Sequence, residues 1–475
     1  MEIPMVFNSA SFLFMFLPAA LILYRIVPGR EAKNILLCLL SLLFYAFGGL
    51  AQLPVLLAAA VWSWCFGLLL ARPGKGRRLW LALGVAGDLA LLCAFKYLAF
   101  FLDILHLPAL SSALPLPLGI SFFTFHAISY LIDSYRDASL AEKRPDRLLL
   151  YLAFFPRLIA GPIVKWKDGR DQLTQRSESA ADTAAGLRRF VRGLLKKLLL
   201  AESAAAVANA VYALEPGAVG TGLAWLGGVC YCLQIYYDFS GYSDMAIGLG
   251  LLFGFRFPEN FDHPYVSSSV SEFWRRWHIS LNRWFVDYLY IPLGGSRRGQ
   301  WVTLRNRLIV FLATGIWHGA GWTFILWGLW NGLFVVLEGL FPAVFKAEGK
   351  SPVRKILLHG YALLVFLTGF MMFRAGSVSQ GLLLIGQMFR FTAAPVAGLA
   401  SVMTLLTPAR CFFLLLGVLF AMPVAPRLRR AAAARLGADS PALEGLADAL
   451  ALLGLVVCVL AMAGGAYSPF IYQQF

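Results

Sequence analysis

The sequence predicts an all-α, polytopic integral membrane protein with about 10–12 transmembrane helices. Two observations on composition predict this fold class. Of the 475 residues, 59% are hydrophobic and 14% are charged, and the mean hydropathy of +0.71 lies far outside the range of soluble globular proteins. The third observation is the recurrence of apolar segments long enough to cross a bilayer, for which about 20 residues suffice.

The positive charge of the chain has two interpretations. The formal net charge is +16, from 41 Lys and Arg against 25 Asp and Glu. In a membrane protein such an excess is typical of cytoplasmic loops. A basic cytoplasmic surface would also attract an anionic donor or an acidic carrier protein. We therefore expect membrane lipids, and no nucleic acid, among the binding partners.

The cysteines and histidines show no metal-binding spacing. The seven cysteines are scattered without a CxxC pair, and most lie in apolar runs, where a thiol is usually a small hydrophobic side chain. The six histidines include no HExxH or comparable pair. The sequence therefore predicts no metal site and no bound cofactor.

Basic and uncharged connections alternate along the first third of the chain. Residues 6–27 are apolar and precede their basic residues, so we expect a retained spanning helix with its N-terminus outside, not a cleaved signal peptide. The next apolar segments are residues 34–50, 53–71, 79–105 and 116–133. The basic residues around positions 30–33, 72–78 and 136–147 then share the cytoplasmic side, and the uncharged linker 107–118 lies outside.

Residues 148–164 interrupt this alternation, because basic connections flank them on both sides. The segment is short and contains Pro156, Arg157 and Pro162. A re-entrant segment that returns to the cytoplasmic side fits these features better than a spanning helix. Later crossings are predicted at residues 197–214, 223–255, 324–340, 356–373, 411–424 and 446–462. These crossings place both termini outside.

One predicted crossing carries a polar run. Gln234, Asp238 and Ser240 lie within the apolar segment 223–255, where lipid-facing polar side chains would be costly. These groups either satisfy one another between packed helices or line a reaction cavity. The residues themselves leave both interpretations open.

Tryptophan, arginine and histidine are concentrated between Ser271 and His318. Apolar and aromatic residues recur there at three- and four-residue steps, at Trp274, Trp277, His278, Leu281, Trp284, Phe285 and Tyr288. This period predicts one aromatic face of a continuous helix, with Arg276 and Arg283 on another face. Such a helix suits a membrane surface.

A second histidine marks a predicted helix end. Residues 308–317 are apolar, and we expect their helix to stop at His318 because Gly319 and Gly321 follow. The imidazole would then open on a cavity at a break inside an apolar environment. Broken helices at membrane depth are tolerated only where protein or a water-filled cavity surrounds them, so we expect a functional site here.

Five phrases, in order, resemble the membrane-bound O-acyltransferase family, in particular its bacterial alginate O-acetyltransferase-like branch. They are AGPIVKW at 160–166, QIYYDFSGYSDMAIGLGLLFGF at 234–255, EFWRRWHISLNRWFVDYLYIPLGG at 272–295, IWHGAGW at 316–322 and the closing PFIYQQF. The opening VFNSASFLFMFLP is similar too. The resemblance implies re-entrant and interfacial helices around a central reaction tunnel.

The resemblance also implies one membrane-embedded acyltransferase domain over residues 1–475. We divide it into N-terminal helices at 1–147, a motif-bearing core at 148–345 and C-terminal helices at 346–475. In this core, His318 matches the catalytic histidine of the family and His278 its supporting position. A neutral histidine is a suitable general base for acyl transfer. Candidate substrate- or donor-binding residues are Trp274, Arg275, Arg276, Asn282, Tyr290 and Trp317, with Gln234, Asp238 and Ser240.

The expected function is therefore O-acyl transfer in the bacterial cytoplasmic membrane. The resemblance implies an acetyl group, a cytoplasmic donor such as acetyl-CoA or an acyl carrier thioester, and an extracytoplasmic polysaccharide such as alginate as the acceptor. It also implies a separate extracytoplasmic acetyltransferase as partner. Composition and intramembrane polar residues would equally permit a transporter or flippase. A non-catalytic scaffold for polysaccharide export is a third interpretation.

Overall fold

The computed structural model describes residues 5–107, 114–345, 351–437, 440–464 and 470. Within these ranges the chain folds into α-helices, short π and 3-10 turns, and one isolated antiparallel bridge between Phe261 and Trp277. The predicted all-α class is confirmed. Half of the linker 107–118, residues 108–113, lies outside the described residues, as do the closing phrase after Phe470 and the C-terminus.

Within the described ranges, the contacts divide the chain into two compact units. Unit 1 contains residues 5–190 and 242–258, and unit 2 contains residues 191–241 and 259–470. The predicted single domain and its divisions at 147 and 345 stay predictions.

Unit 1 is built from the N-terminal helices. These are α1 (Leu17–Ile26), α2 (Arg30–Gly49), α3 (Leu53–Ala71), α4 (Arg77–Leu92), α5 (Leu98–Ile104), α6 (Ile120–Arg136), α7 (Pro145–Ala153), α8 (Phe155–Leu158), α9 (Trp166–Gly169) and the start of α10 (Ala180–Leu195). Its core includes Tyr45, Leu56, Phe123 and Leu158, which are buried against one another.

Unit 2 contains the motif-bearing and C-terminal helices. These are α11 (Glu202–Ala213), most of α12 (Thr221–Leu252), α13 (Val270–Arg276), α14 (Ile279–Phe285), α15 (Gln300–His318), α16 (Trp322–Leu340), α17 (Pro342–Phe345), α18 (Pro352–Arg374), α19 (Val378–Gln387), α20 (Val396–Met403), α21 (Pro408–Ala421), α22 (Val424–Leu436) and α23 (Pro441–Ala463). The long predicted helix over residues 223–255 is confirmed as α12.

Several helices are long and apolar enough to cross a membrane. By length and composition, five helical stretches among the described residues qualify: Arg30–Ala71, Arg77–Ile104, Trp322–Leu340, Pro352–Arg374 and Pro441–Ala463. The pair α21 and α22, bent by 66°, would make a sixth if it is one span. The predicted crossing at residues 197–214 forms a shorter helix, α11 with 12 residues. The predicted crossing at residues 223–255 forms the 32-residue α12, which is not among these five stretches.

The N-terminal helix is shorter than predicted. Its apolar stretch is Phe12–Ile26, not residues 6–27. The reason is a local cap: the Ser9 hydroxyl donates to the Val6 carbonyl at 2.8 Å and accepts from the Phe12 backbone N–H at 3.2 Å. Residues 6–9 therefore form a turn that opens the helix.

Ion pairs gather the predicted cytoplasmic residues of unit 1 at one end of α2. Glu31, in the first turn of α2, pairs with Arg144 at 2.7 Å and Arg147 at 2.5 Å. In the same turn, Lys33 pairs with Glu178 at 2.8 Å. Basic connections that the sequence predicts on the cytoplasmic side thus lie close together at this end of α2.

The same contacts describe the course of residues 148–164. The chain enters this segment beside Glu31 and, after it, returns to the same turn of α2 at Glu178. Between these points the helix breaks at Phe154, and the Phe155 backbone N–H donates to the Ser41 hydroxyl of α2 at 3.2 Å. The segment leaves one end of α2 and comes back to it, which is the course of a re-entrant segment.

We expect single cysteines placed on both sides of this segment to face the same side of the membrane. In a background without the seven native cysteines, Lys143→Cys and Asp168→Cys should both resist an impermeant maleimide in intact cells and react after permeabilisation. Leu107→Cys, in the predicted outer linker, is the control that should react in intact cells. Labelling of positions 143 and 168 from opposite sides would contradict the re-entrant course.

Candidate active site

A close helix hairpin positions His318. Helices α15 and α16 approach so closely at Gly315 and Gly328 that a Cβ on Gly328 would lie 2.5 Å from the Phe311 carbonyl oxygen. At the turn, a Cβ on Gly319 would lie 2.3 Å from the Phe324 ring. The predicted helix end at His318 is confirmed. Gly319 has an extended φ of −169°, so it is needed for the space that it leaves to Phe324 and not for a left-handed turn.

The His318 imidazole is enclosed by aromatic rings. Its centroid lies 4.8 Å from that of Trp317, 5.1 Å from that of Trp327 and 5.3 Å from that of Phe373, all at steep angles. Edge-to-face pairs of this kind contribute about 0.5–1.5 kcal/mol each beyond their area. The residue is 3% exposed. The expectation that the imidazole opens on a cavity is therefore wrong for this conformation.

His278 lies at a break between two helices. The predicted continuous helix through residues 274–288 is therefore wrong. Helix α13 ends at Arg276, α14 begins at Ile279, and His278 between them has the left-handed angles φ 46° and ψ 50°. A non-glycine residue in this region costs of order 1–3 kcal/mol, so neighbouring contacts must hold it. The three- to four-residue spacing of the aromatic residues continues across the break. The sequence pattern therefore gave no sign of the interruption.

Asn260 holds the break in place and determines the His278 tautomer. Its side-chain Oδ1 accepts from the Ser280 backbone N–H at 3.2 Å and lies 3.2 Å from His278 Nδ1. Because a backbone N–H can only donate, this atom must be the amide oxygen, and His278 Nδ1 must carry the proton. The Nε2 atom then presents a lone pair. It is buried, and no described residue hydrogen-bonds to it.

Burial lowers the pKa of His278, which lies outside the candidate spanning helices, to about 3. The imidazole is therefore neutral throughout the physiological pH range. A base with so low a pKa takes up a proton poorly, since general bases work best near the operating pH. His278 is thus suited to accept a hydrogen bond through Nε2, and less suited to remove a proton.

The two histidines share one neighbour. The Trp317 centroid lies 6.2 Å from that of His278 and 4.8 Å from that of His318. We call His278, Trp317, His318, Trp327 and Phe373 the histidine cluster. Helix α12 reaches it through Phe239, whose centroid is 4.7 Å from that of His278.

One face of α16 connects the histidine cluster to α13. Trp327 contacts His318, and one turn later Asn331 Oδ1 accepts from Trp274 Nε1 at 3.1 Å. Two turns further, the Glu338 carboxylate accepts from the backbone N–H groups of Val270 at 2.6 Å and Ser271 at 2.8 Å. Glu338 thus satisfies the first donors of α13, which would otherwise be unpaired.

The predicted donor-binding residues do not all lie near this cluster. Trp274 packs on Trp327 with centroids 5.6 Å apart, and Asn282 donates to the Trp274 carbonyl at 3.1 Å. Arg276 is held by Glu272 and Asp262, both at 3.0 Å. Arg275 is exposed, and Tyr290 ends a π turn where its carbonyl accepts from Gly295.

The polar run of α12 finds partners on other segments. Asp238 pairs with the buried Lys197 at 2.6 Å, and Lys197 also pairs with Glu202 at 2.8 Å. Gln234 and Ser240 are buried as well. For Asp238 the structure therefore favours the interpretation that polar groups satisfy one another between packed helices. Its partner, Lys197, lies in the segment before α11.

Comparison with known proteins agrees with this geometry. The model of the MBOAT, membrane-bound O-acyltransferase family matches residues 110–379. The chain belongs to the membrane-bound O-acyltransferase family. It is 38% identical to the "probable alginate O-acetylase AlgI" of Pseudomonas putida, over 99% of this chain and 100% of that protein.

Two further relatives differ in what their names say they modify. The peptidoglycan O-acetyltransferase of Helicobacter pylori is 39% identical over 69% of each chain. The teichoic acid D-alanyltransferase of Bacillus subtilis is 31% identical over 47% of this chain and 59% of that protein. Family membership makes the chain a membrane protein and an O-acyltransferase.

Sequence reasoning missed several residues of this candidate site. Asn260, Trp327, Asn331 and Phe373 lie in different segments, and no local spacing relates them to the histidines. Glu338 did leave a signal, because it is an acidic residue within the apolar run Trp322–Leu340. An ionisable residue at such a position is a candidate for a specific partner.

We expect Glu338→Gln to lower both stability and acyl transfer. The amide keeps one acceptor but turns an N–H group toward a backbone donor of α13, which should cost about 1–3 kcal/mol. Thermal unfolding in detergent and turnover of the purified variant would measure both effects. Tyr361→Phe is the matched control, since it removes the 3.3 Å hydrogen bond to the same carboxylate and leaves α13 capped. Equal effects of the two substitutions would contradict the positioning role.

Proposed function

We propose that this acyltransferase transfers an acyl group, expected to be acetyl, from a cytoplasmic thioester toward a hydroxyl of an extracytoplasmic polysaccharide. The proposal includes acetyl-CoA or an acyl carrier thioester as donor and a separate extracytoplasmic acetyltransferase as partner. It places the chain in the bacterial cytoplasmic membrane with both termini outside. The observation that carries it is the buried pair His278 and His318 around Trp317 at the end of α15.

The proposed chemistry assigns different tasks to the two histidines. His318 accepts the proton of the attacking hydroxyl as its oxygen bonds to the thioester carbonyl carbon. The carbon–sulfur bond then breaks, and the proton passes to the leaving thiolate, so that ester and thiol are the products. His278 holds a substrate hydroxyl or bound water through its Nε2 lone pair. Enclosure in aromatic rings excludes bulk water, which would otherwise hydrolyse the thioester.

The acceptor proposal draws on the relatives. Their names specify alginate, peptidoglycan and teichoic acid, which are all polymers of the cell envelope. A relative that this chain covers over its whole length is a probable alginate O-acetylase by name. A polysaccharide hydroxyl is accordingly the acceptor class that we propose, with alginate as the first polymer to test.

The donor proposal uses the exposed arginines near α13. Arg275, Arg297 and Arg298 are exposed, whereas Arg276 is neutralised by two carboxylates. No described carboxylate lies within ion-pair distance of Arg275. Of the two arginines in the motif, Arg275 is therefore the one available to attract the phosphate groups of a donor.

We expect His318→Gln to abolish most acyl transfer without unfolding the protein. The amide preserves hydrogen bonding but cannot take up a proton at neutral pH, so turnover should fall by about 10²-fold or more. His318→Ala should lose activity too, but the ring is packed among three others, so its removal leaves a cavity and lowers stability. The assay is acetyl transfer from acetyl-CoA to alginate with the partner protein present.

His359→Gln is the matched control, because that histidine lies outside the histidine cluster and bonds the Ser267 carbonyl at 2.9 Å. It should keep normal turnover. His278→Gln should give an intermediate loss, since it removes an acceptor and not the base. Normal turnover in a well-folded His318→Gln would remove the catalytic assignment and favour a scaffold or transport role.

We expect Arg275→Gln to raise the donor concentration needed for half-maximal rate, with little change in maximal turnover. Activity should also become less sensitive to salt, because one screened attraction is lost. Arg276→Gln breaks two ion pairs and should instead lower the unfolding temperature. Unchanged donor dependence in Arg275→Gln would leave this arginine without a role in donor capture.

A further inference from the structure

Unit 1 contains a buried cation that no described acidic residue neutralises. Arg157, in the re-entrant segment, is 4% exposed. Its guanidinium donates to the Tyr151 carbonyl and lies over the Tyr151 ring, with 4.5 Å between the guanidinium carbon and the ring centroid. Its Nε atom is buried without a hydrogen-bond partner in the part of the chain that the structure describes. No described carboxylate lies within ion-pair distance of this guanidinium.

Burial of this guanidinium without a carboxylate partner costs free energy. A charge buried in protein is normally paired with an opposite charge, because desolvation costs several kcal/mol. The cation–π contacts with Tyr151, and with Phe257 at 5.9 Å, offset part of this cost. A counter-ion from outside the chain would supply the missing partner.

A pocket stands beside the guanidinium. It encloses about 280 Å³ including its open mouth, and Arg157 lines it together with Tyr151, Phe154, Gln172, Phe255 and Phe257. The closed part has room for about one water-sized group.

The mouth of the pocket is polar. The side chain of Gln172, which lines the pocket, bonds the backbone of Arg256. It accepts from the Arg256 N–H at 2.6 Å and donates to the Arg256 carbonyl at 3.2 Å. The side chain of Arg256 is 66% exposed and pairs with Asp182 at 2.8 Å. The mouth is therefore polar, and Asp182 balances the positive charge of Arg256 there.

We propose that this pocket binds a small monovalent anion, of which chloride is the physiological example, as the counter-ion of Arg157. Room for about one water-sized group suits a small ion better than a whole phosphate or nucleotide. Binding would hold the re-entrant segment in its buried course between the two ends that meet at α2. The proposal concerns unit 1 alone and does not depend on the acyl-transfer chemistry.

The test compares thermal unfolding of the purified full-length protein in sodium chloride and in sodium gluconate at equal ionic strength. Wild-type protein should unfold about 2–5 °C higher in chloride, and bromide should replace chloride. Arg157→Gln should lose this difference. In gluconate it should be as stable as wild type or more so, because an uncompensated buried charge has been removed.

Arg256→Gln is the matched control: it removes a positive charge at the mouth and should keep the chloride effect. A purely structural Arg157 predicts the opposite pattern, in which Arg157→Gln is destabilised equally in both salts and wild type shows no chloride effect. That result would overturn the proposal. So would an Arg157-dependent rise produced by phosphatidylglycerol vesicles but not by chloride or bromide.

Discussion

The close contact between α15 and α16 is the constraint on which the site depends. At Gly315 and Gly328 the two backbones approach to a distance that no side chain would permit. This approach places the last residue of α15, His318, against Trp327 of α16. A methyl group on either glycine would push the two helices apart. The imidazole would then be separated from the ring that orients it. Small residues at helix contacts serve the same purpose in other membrane proteins.

A second theme is the provision of polar partners for interrupted helices in apolar surroundings. Every break exposes backbone groups that water would otherwise satisfy. Ser41 receives the N–H at the break in the re-entrant segment, Glu338 receives the first donors of α13, and Asn260 receives those after His278. The breaks are thus held by specific side chains on neighbouring segments. Arg157 is the exception, because no described carboxylate lies beside its buried guanidinium.

The division of labour between the histidines follows from their environments. Both are buried, but His278 is fixed by Asn260 as the tautomer with a proton on Nδ1, and burial keeps it neutral. Its neutral state favours hydrogen bonding over proton removal. His318 ends α15 and is enclosed by the rings of Trp317, Trp327 and Phe373. The shared Trp317 couples the positions of the two rings.

The sequence by itself determined the all-α membrane class, the helix end at His318, the grouping of basic connections and the interrupted course of residues 148–164. These features follow from composition, from the period of apolar residues and from glycine and proline, all of which act locally. Only the tertiary structure decided that α13 and α14 are separate, because a left-handed residue can break a helix without disturbing a three- to four-residue period. It also decided that His318 is enclosed, that Asp238 pairs with Lys197, and that Asn331 and Glu338 hold α13. These are contacts between segments distant in the chain, and no spacing within one segment specifies them.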